Sequence, residues 1–251
     1  MGHSTQGAFG STGLPTVGGM GGRKRLGLAL AVGGAFVLLV AAAALADNYQ
    51  YRFASADQAA ARGAVLLRSD LPMLKRWKGG AVKPDETPHT ATDGCNGYLP
   101  KEADLVVTGD SETKYSLNGA MIETQATVFR SKGMVETDWK RQPKVSEWPK
   151  CLRDQWAASG PKGATPVSAR ILSLPRVGTH QLALEVVFSV TPAVGKQPVR
   201  VVSDVVGFSR GRTEIMVGAS SLVVSRADIA VTKAVSARVA GILDAKLQLH
   251  P

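Results

Sequence analysis

From residue 105 onward the apolar positions switch between two periods, and the switches mark out the elements. Residues 121–130 alternate, with Ile122, Thr124, Ala126 and Val128 on one side and Met121, Glu123, Gln125, Thr127 and Phe129 on the other, which predicts a strand. Asn118-Gly119 ahead of it is a hairpin signal, because the tight turn that suits strand twist needs positive φ at both positions. The partner strand is expected in two pieces, residues 105–108 and 114–117, parted by Gly109-Asp110. Downstream, residues 166–174, 181–191, 199–209 and 213–222 read as four more strands. LPRVG, PAVGKQ and RGR separate them and are short enough for antiparallel neighbours. Leu182, Leu184, Val186, Phe188 and Val190 share one face, while Val187, Val201 and Val202 keep the opposite face from being wholly polar. The sheet is therefore expected to be covered on both sides.

Helical spacing appears three times. Residues 55–71 place Ala60, Ala64, Leu67 and Leu71 on one face, with Ser55 as N-cap, Asp57 in the first turn and Leu71-Pro72 as the stop. Residues 72–103, rich in Pro and Gly, read as irregular. Residues 131–159 turn helical again but are interrupted by Pro143 and Pro149, the second piece burying Val145, Trp148, Leu152 and Trp156. The last helix opens at Ser225, with Asp228 closing a short capping box, and runs to about Gln248 on a stripe of Val231, Val235, Val239 and Ile242. The fold class is α+β, a largely antiparallel sheet flanked by helices. One domain is expected over residues 101–250, preceded by a helix and irregular linker over 47–100.

The N-terminal part breaks both periods. Residues 26–46 are an uncharged apolar run of 21 residues behind Arg23-Lys24-Arg25. As a helix the run spans roughly 32 Å, against about 30 Å of bilayer hydrocarbon. It predicts one transmembrane helix, with residues 1–25 as a disordered cytoplasmic tail and the rest exported, since positive charge stays inside. Ala44-Leu45-Ala46 before Asp47 is also an acceptable cleavage site, so secretion after cleavage is the alternative. Three of the 30 basic residues precede the run and no acidic one does, leaving 27 basic against 20 acidic residues beyond it, net +7. That balance favours an anionic envelope polymer, a lipid or a protein partner besides the membrane itself, and placement outside the cytoplasm argues against nucleic acid.

Export also bears on Cys95 and Cys151, the only two cysteines, which are expected to form a disulfide worth roughly 4 kcal/mol by the chain-entropy argument. Reactive chemistry is sparse. His3, His89, His180 and His250 form no metal or catalytic spacing, no serine lies in a GxSxG context, and no glycine cluster forms a phosphate loop. No catalytic residue, metal site or cofactor is expected. Glu185 and Asp204 fall on adjacent strands and would make an acid–base pair only in an open cleft. His180 reads as a strand-end residue, and Trp148 and Trp156 as core anchors.

The stretches FRSKGMVETDW and WPKCLRDQW, together with the apolar run and a strand series closed by a C-terminal helix, resemble exported sensor-type domains of actinobacteria. These include the extracellular sensor domains of membrane serine/threonine kinases and LpqN-like lipoproteins, with the PsbP-like fold as the wider relative. The resemblance covers about residues 100–250 and implies a binding or sensing module. The chain departs from those families in having no kinase domain in its tail, two cysteines only and no lipobox. The expectation is a non-enzymatic, membrane-anchored extracytoplasmic module for an envelope component or partner protein. The alternative is a carrier of lipid or apolar ligand, with a cavity lined by Leu184, Phe188 and Val206, and an envelope-polymer hydrolase stands behind both.

Overall fold

The structure, a computed structural model, describes residues 49–82, 103–159, 163–191 and 197–249, with the backbone alone for 155–159. The apolar run 26–46, the tail before it, Cys95, His89 and the side chain of Trp156 lie outside these residues. Among the described residues no helix is long and apolar enough to cross a membrane.

The architecture is α+β: one mostly antiparallel sheet of eight strands with four α-helices on its two faces. In chain order the strands are β1 (Gln50–Tyr51), β2 (Lys78–Val82), β3 (Val106–Leu117), β4 (Ala120–Phe129), β5 (Ala164–Ile171), β6 (His180–Val190), β7 (Val199–Arg210) and β8 (Thr213–Val223). The helices are α1 (Ser55–Ala64), α2 (Lys132–Arg141), α3 (Trp148–Ser159) and α4 (Arg226–Leu249). Across the sheet the order is β1-β3-β4-β8-β7-β6-β5, with β2 also paired to β3. Only β1 runs parallel to its neighbour.

The β3–β4 hairpin turns at Asn118 (φ 49°) and Gly119 (φ 84°), as their residue types require. From β5 to β8 the chain is a meander, each strand pairing with the next in register from His180↔Ser209 to Arg210↔Thr213. Gly109-Asp110 does not end a strand. It sits inside β3 at a register shift, and a side chain at Gly109 would overlap the Asp57 carbonyl of α1, so the glycine allows the helix to seat on the strand. The stretch read as irregular likewise contains β2, preceded by a 3-10 turn at Pro72–Arg76. Arg68 fixes this stretch by donating to the carbonyls of Leu74, Trp77 and Gly79 at 2.6–2.7 Å, contacts that no periodicity announces.

On one face α1 and α4 cover a core that includes Leu66, Leu74, Ile122, Phe208, Val217, Val239 and Leu243. On the other, α2 and α3 cover two smaller clusters, one around Val107, Phe129 and Val135 and one around Trp148, Leu152, Val186 and Phe188. Each fully buried Phe or Leu contributes roughly 1.5–3 kcal/mol.

Several helix expectations need correction. Val145, expected in a buried stripe, is 49% exposed, and on α1 Ala60 is exposed while Ala61 is buried. Ser55 is the first residue of α1 rather than its cap; Ala54 holds the cap position, and no side chain caps there. Leu67 lies beyond the end of α1 and is 40% exposed. On α4, Val231 is 61% exposed, and the helix instead buries Thr232, Ser236, Ala240 and Asp244 alongside Val239, Leu243 and Leu247. Polar contacts set this rotation. Ser236 Oγ donates to Asp204 Oδ2 at 3.2 Å, Ser221 and Thr232 share a 2.7 Å hydroxyl contact, and Asp244 accepts from Arg210 and from Gly178 N.

Two end signals also differ: α1 ends at Ala64, well before Leu71-Pro72, and Pro149 lies in the first turn of α3, where a missing N–H costs no helical bond, rather than interrupting it. Asp228 Oδ2 accepts from the backbone N–H groups of Val224 and Ser225, which holds its carboxyl below the usual range. Ser131 caps α2 by accepting from Met134 N, and Pro143 falls in the break between α2 and α3.

Candidate functional site: a cavity between the sheet and helices α2 and α3

Alternation sends the even-numbered residues of β6 and β8, the odd-numbered residues of β7 and the odd-numbered residues of β4 to the α2/α3 face. There they meet two helices with Pro143 in the break between them. A cavity of about 380 Å³ remains in the gap. Its apolar walls are Val145, Trp148 and Leu152 from the helical side and Leu182, Leu184, Val205 and Met216 from the sheet. Gly207 on β7 helps to make the space: a Cβ there would come no nearer than 3.9 Å to the Trp139 ring.

The opposite end of the cavity is polar. Asp138, Trp139 and Gln142 of α2 and its trailing turn face Gln125 and Thr127 of β4 and Glu214 of β8. Asp138 is 3% exposed. Burial pushes its carboxyl up to about 6, against the opposing pull of hydrogen bonding from Glu214 and Gln142 and of the Arg141 charge. The two carboxyl groups therefore sit in contact, and a proton shared between them spares one buried charge.

His180, at the start of β6, also lines the cavity. Its Nε2 lies 3.0 Å from Glu136 Oε2, and its ring stacks on Trp139 at 5.3 Å and 16°. The expectation that spacing implies no partner for His180 misses this contact, because Glu136 is 44 residues away and on another element. Trp148, expected as a core anchor, is both: it is 7% exposed, belongs to the cluster under α3 and forms part of the cavity wall.

The other expected residues scatter. Leu184 lines the cavity, Phe188 lies four residues further along β6 in the same cluster but not on the cavity wall, and Val206 packs on the opposite face beneath α4. Cys151 is 1% exposed on α3, and no cysteine is free among the described residues.

Glu185 and Asp204 are direct cross-strand partners on the α4 face, buried at 3% and 0% exposure, not in an open cleft. Arg170 binds Glu185 at 2.7 Å. Burial, then the charge of Glu185, pushes Asp204 up to about 7. Among the described residues no group of three or more His, Cys, Asp or Glu could hold a metal ion.

Sequence reasoning did not single out Asp138, Trp139, Gln142 or Glu214. One signal was present. Val135, Asp138 and Gln142 fall three and four apart, which puts a carboxylate on the inward face of a helix.

No protein-family model and no curated protein matches the chain. Among solved structures, the chain is similar to the extracellular domain of PknH from Mycobacterium tuberculosis, with 11% identity and a TM-score of 0.41 over 75% of this chain and 93% of that one. It is also similar to an uncharacterized protein (Rv0999 ortholog) from Mycobacterium smegmatis, with 13% identity and a TM-score of 0.34 over 71% of this chain and 94% of that one. The resemblance expected from sequence was to exported sensor-type domains of actinobacteria, and the first of these structures is such an extracellular domain.

Proposed function

We propose that the chain is a non-enzymatic, membrane-anchored extracytoplasmic binding module whose ligand is a small, largely apolar molecule held between the sheet and helices α2 and α3. The cavity carries this reading. Small-molecule sites are concave, mostly apolar and roughly 300–1,000 Å³, with a few converging polar groups, and about 380 Å³ with one polar end fits that description. The apolar run 26–46 supports the anchor, and the basic balance supports work beside an anionic surface. The same module could report occupancy to a partner protein in the sensor-like manner the sequence resemblance implies. Cys95 and Cys151 are proposed to form its disulfide, consistent with the burial of Cys151.

Gly207→Leu fills the cavity from the sheet side, where a Cβ stands 3.9 Å from the Trp139 ring and the rest of the side chain enters the cavity. Native mass spectrometry of the full chain, extracted from its own membrane, is expected to show a retained small molecule on the parent protein and none on G207L. Both proteins should melt within a few degrees of each other. A parent protein that never carries or takes up an apolar molecule removes the proposal.

A further inference from the structure

β1 is the first described strand and lies at one edge of the sheet. The N–H groups of Gln50, Arg52 and Ala54 donate to the carbonyls of Leu105, Val107 and Thr108, which fixes the chain beside β3 as far as residue 54. A row of four rings runs along it. Phe129 meets Tyr49 at 5.5 Å, Tyr49 meets Tyr51 at 6.4 Å, and Tyr51 meets Phe53 at 5.6 Å. Exposure rises along the row, from 0% at Phe129 and 9% at Tyr49 to 38% at Tyr51 and 42% at Phe53. Among the described side chains no other aromatic is exposed.

Basic side chains border the two exposed rings. Arg52 lies between them in sequence. Arg130 N donates to the carbonyl of Val106, the residue paired with Gln50, so Arg130 stands two strand spacings, roughly 10 Å, from β1. Lys132 opens α2 two residues later. All three are exposed, and among the described residues none of them is held in an ion pair. The carboxylates on this side are already engaged, Asp104 by Arg141 and Asp57 by Arg212.

Only Asp47 and Asn48 separate Tyr49 from the end of the apolar run at Ala46. Three fully extended residues span at most about 11 Å. The head-group layer outside the hydrocarbon is itself about 5–7 Å deep. With the anchor proposed above in place, β1 is therefore kept close to the lipid surface. From this placement, and resting on that anchor, we infer that the β1 edge is a docking surface for an anionic extracytoplasmic leaflet. Tyr51 and Phe53 sit among the lipid head groups, and Arg52, Arg130 and Lys132 face lipid phosphates. Tyrosine suits that layer because its ring is apolar and its hydroxyl is wet. Each basic side chain beside an anionic leaflet strengthens attachment about fivefold.

The full chain is placed in nanodiscs of phosphatidylcholine and phosphatidylglycerol in equal parts, with a nitroxide on a fraction of the head groups. Phe53→Trp puts a fluorescent reporter in the row; Val224→Trp puts one at the far end of β8, at a position 92% exposed. Measured against the parent protein, the Phe53→Trp reporter is expected to lose about half its emission or more to the nitroxide, and the Val224→Trp reporter little. Reversing the three charges together, Arg52→Glu, Arg130→Glu and Lys132→Glu, should cut the quenching at Phe53→Trp by about threefold or more. Quenching at Phe53→Trp no greater than at Val224→Trp, or undiminished by the charge reversal, overturns the inference while the chain's retention in the nanodisc leaves the anchor standing. A full chain that separates from the lipid removes the anchor and the inference with it.

Discussion

Asp204 lies in the middle of the sheet with Glu185 directly across from it on β6, and only Ser236 of α4 answers its carboxyl, through Oδ2. Its carboxyl, raised to about 7, holds a proton in the folded chain that the unfolded chain releases near 4. Stability from this group is therefore highest below about pH 4, falls as pH rises through the interval to about 7, and is level above it. Asp110 and Asp138, each raised to about 6 chiefly by burial, and Glu123, raised to about 7, act in the same direction. Asp57 and Asp228 are lowered, by the Arg212 guanidinium and by backbone N–H groups respectively, so their contribution is lost only below about pH 4. Asp204→Asn should consequently raise the unfolding free energy in urea at pH 8 by on the order of 1–3 kcal/mol and change it little at pH 4.5. An equal gain at both pH values would show that proton uptake at Asp204 is not the cause. The approach of Glu185 and Asp204 was legible along the chain, since they fall on adjacent strands; their burial was not, because it depends on the helix packed above them.

At the scale of elements, what alternation and turn chemistry can report was readable, and what packing decides was not. The β3–β4 hairpin and the β5–β8 meander follow from Asn118-Gly119, from short connections and from period-two alternation, all local properties. The rotation of α4 follows from hydrogen bonds to β7 and β8 that form only after the sheet exists, so the Val231 stripe was one position away from the buried face. Gly109 misled for a related reason. In isolation a glycine before an aspartate looks like a turn, whereas here it is the point where α1 and β3 approach too closely for a side chain. Alanine at Gly109 is expected to cost about 1–3 kcal/mol through overpacking, with the urea midpoint falling accordingly. The same change at Gly63, helical and with open space around its Cβ position, should gain roughly 0.5–1 kcal/mol. Effects of one sign at both positions would refute the account of Gly109.

Taken as a whole molecule, the domain holds its cavity on the α2/α3 face, where Pro143 separates the helices and the core is divided between two clusters, while the other face buries a single larger core. The polar end of that cavity draws Asp138 from α2, Glu214 from β8 and Gln125 from β4, a set separated by most of a hundred residues, which is why no motif marked it. If Cys95 and Cys151 are joined, α3 is tied across the chain independently of the sheet. The denatured, unreduced chain should then resist alkylation at both cysteines, and reduction should lower stability by up to about 4 kcal/mol. Two alkylated cysteines without reductant would remove the disulfide.

The seam between β4 and β8 has a further consequence, in time rather than in space. It pairs Met121–Val128 with the stretch from Ser220 back to Thr213, so the hairpin and the meander can each form from near neighbours, but their joining must close nearly the whole intervening chain. Non-local strand pairings of this kind fold in the slower, millisecond-to-second regime. Gln125 and Thr127 stand on one side of the seam, Glu214 and Met216 on the other. The floor of the cavity thus comes into being only when the two halves have zipped together, and any occupant that spans it acts on the late part of the folding reaction, slowing its reversal.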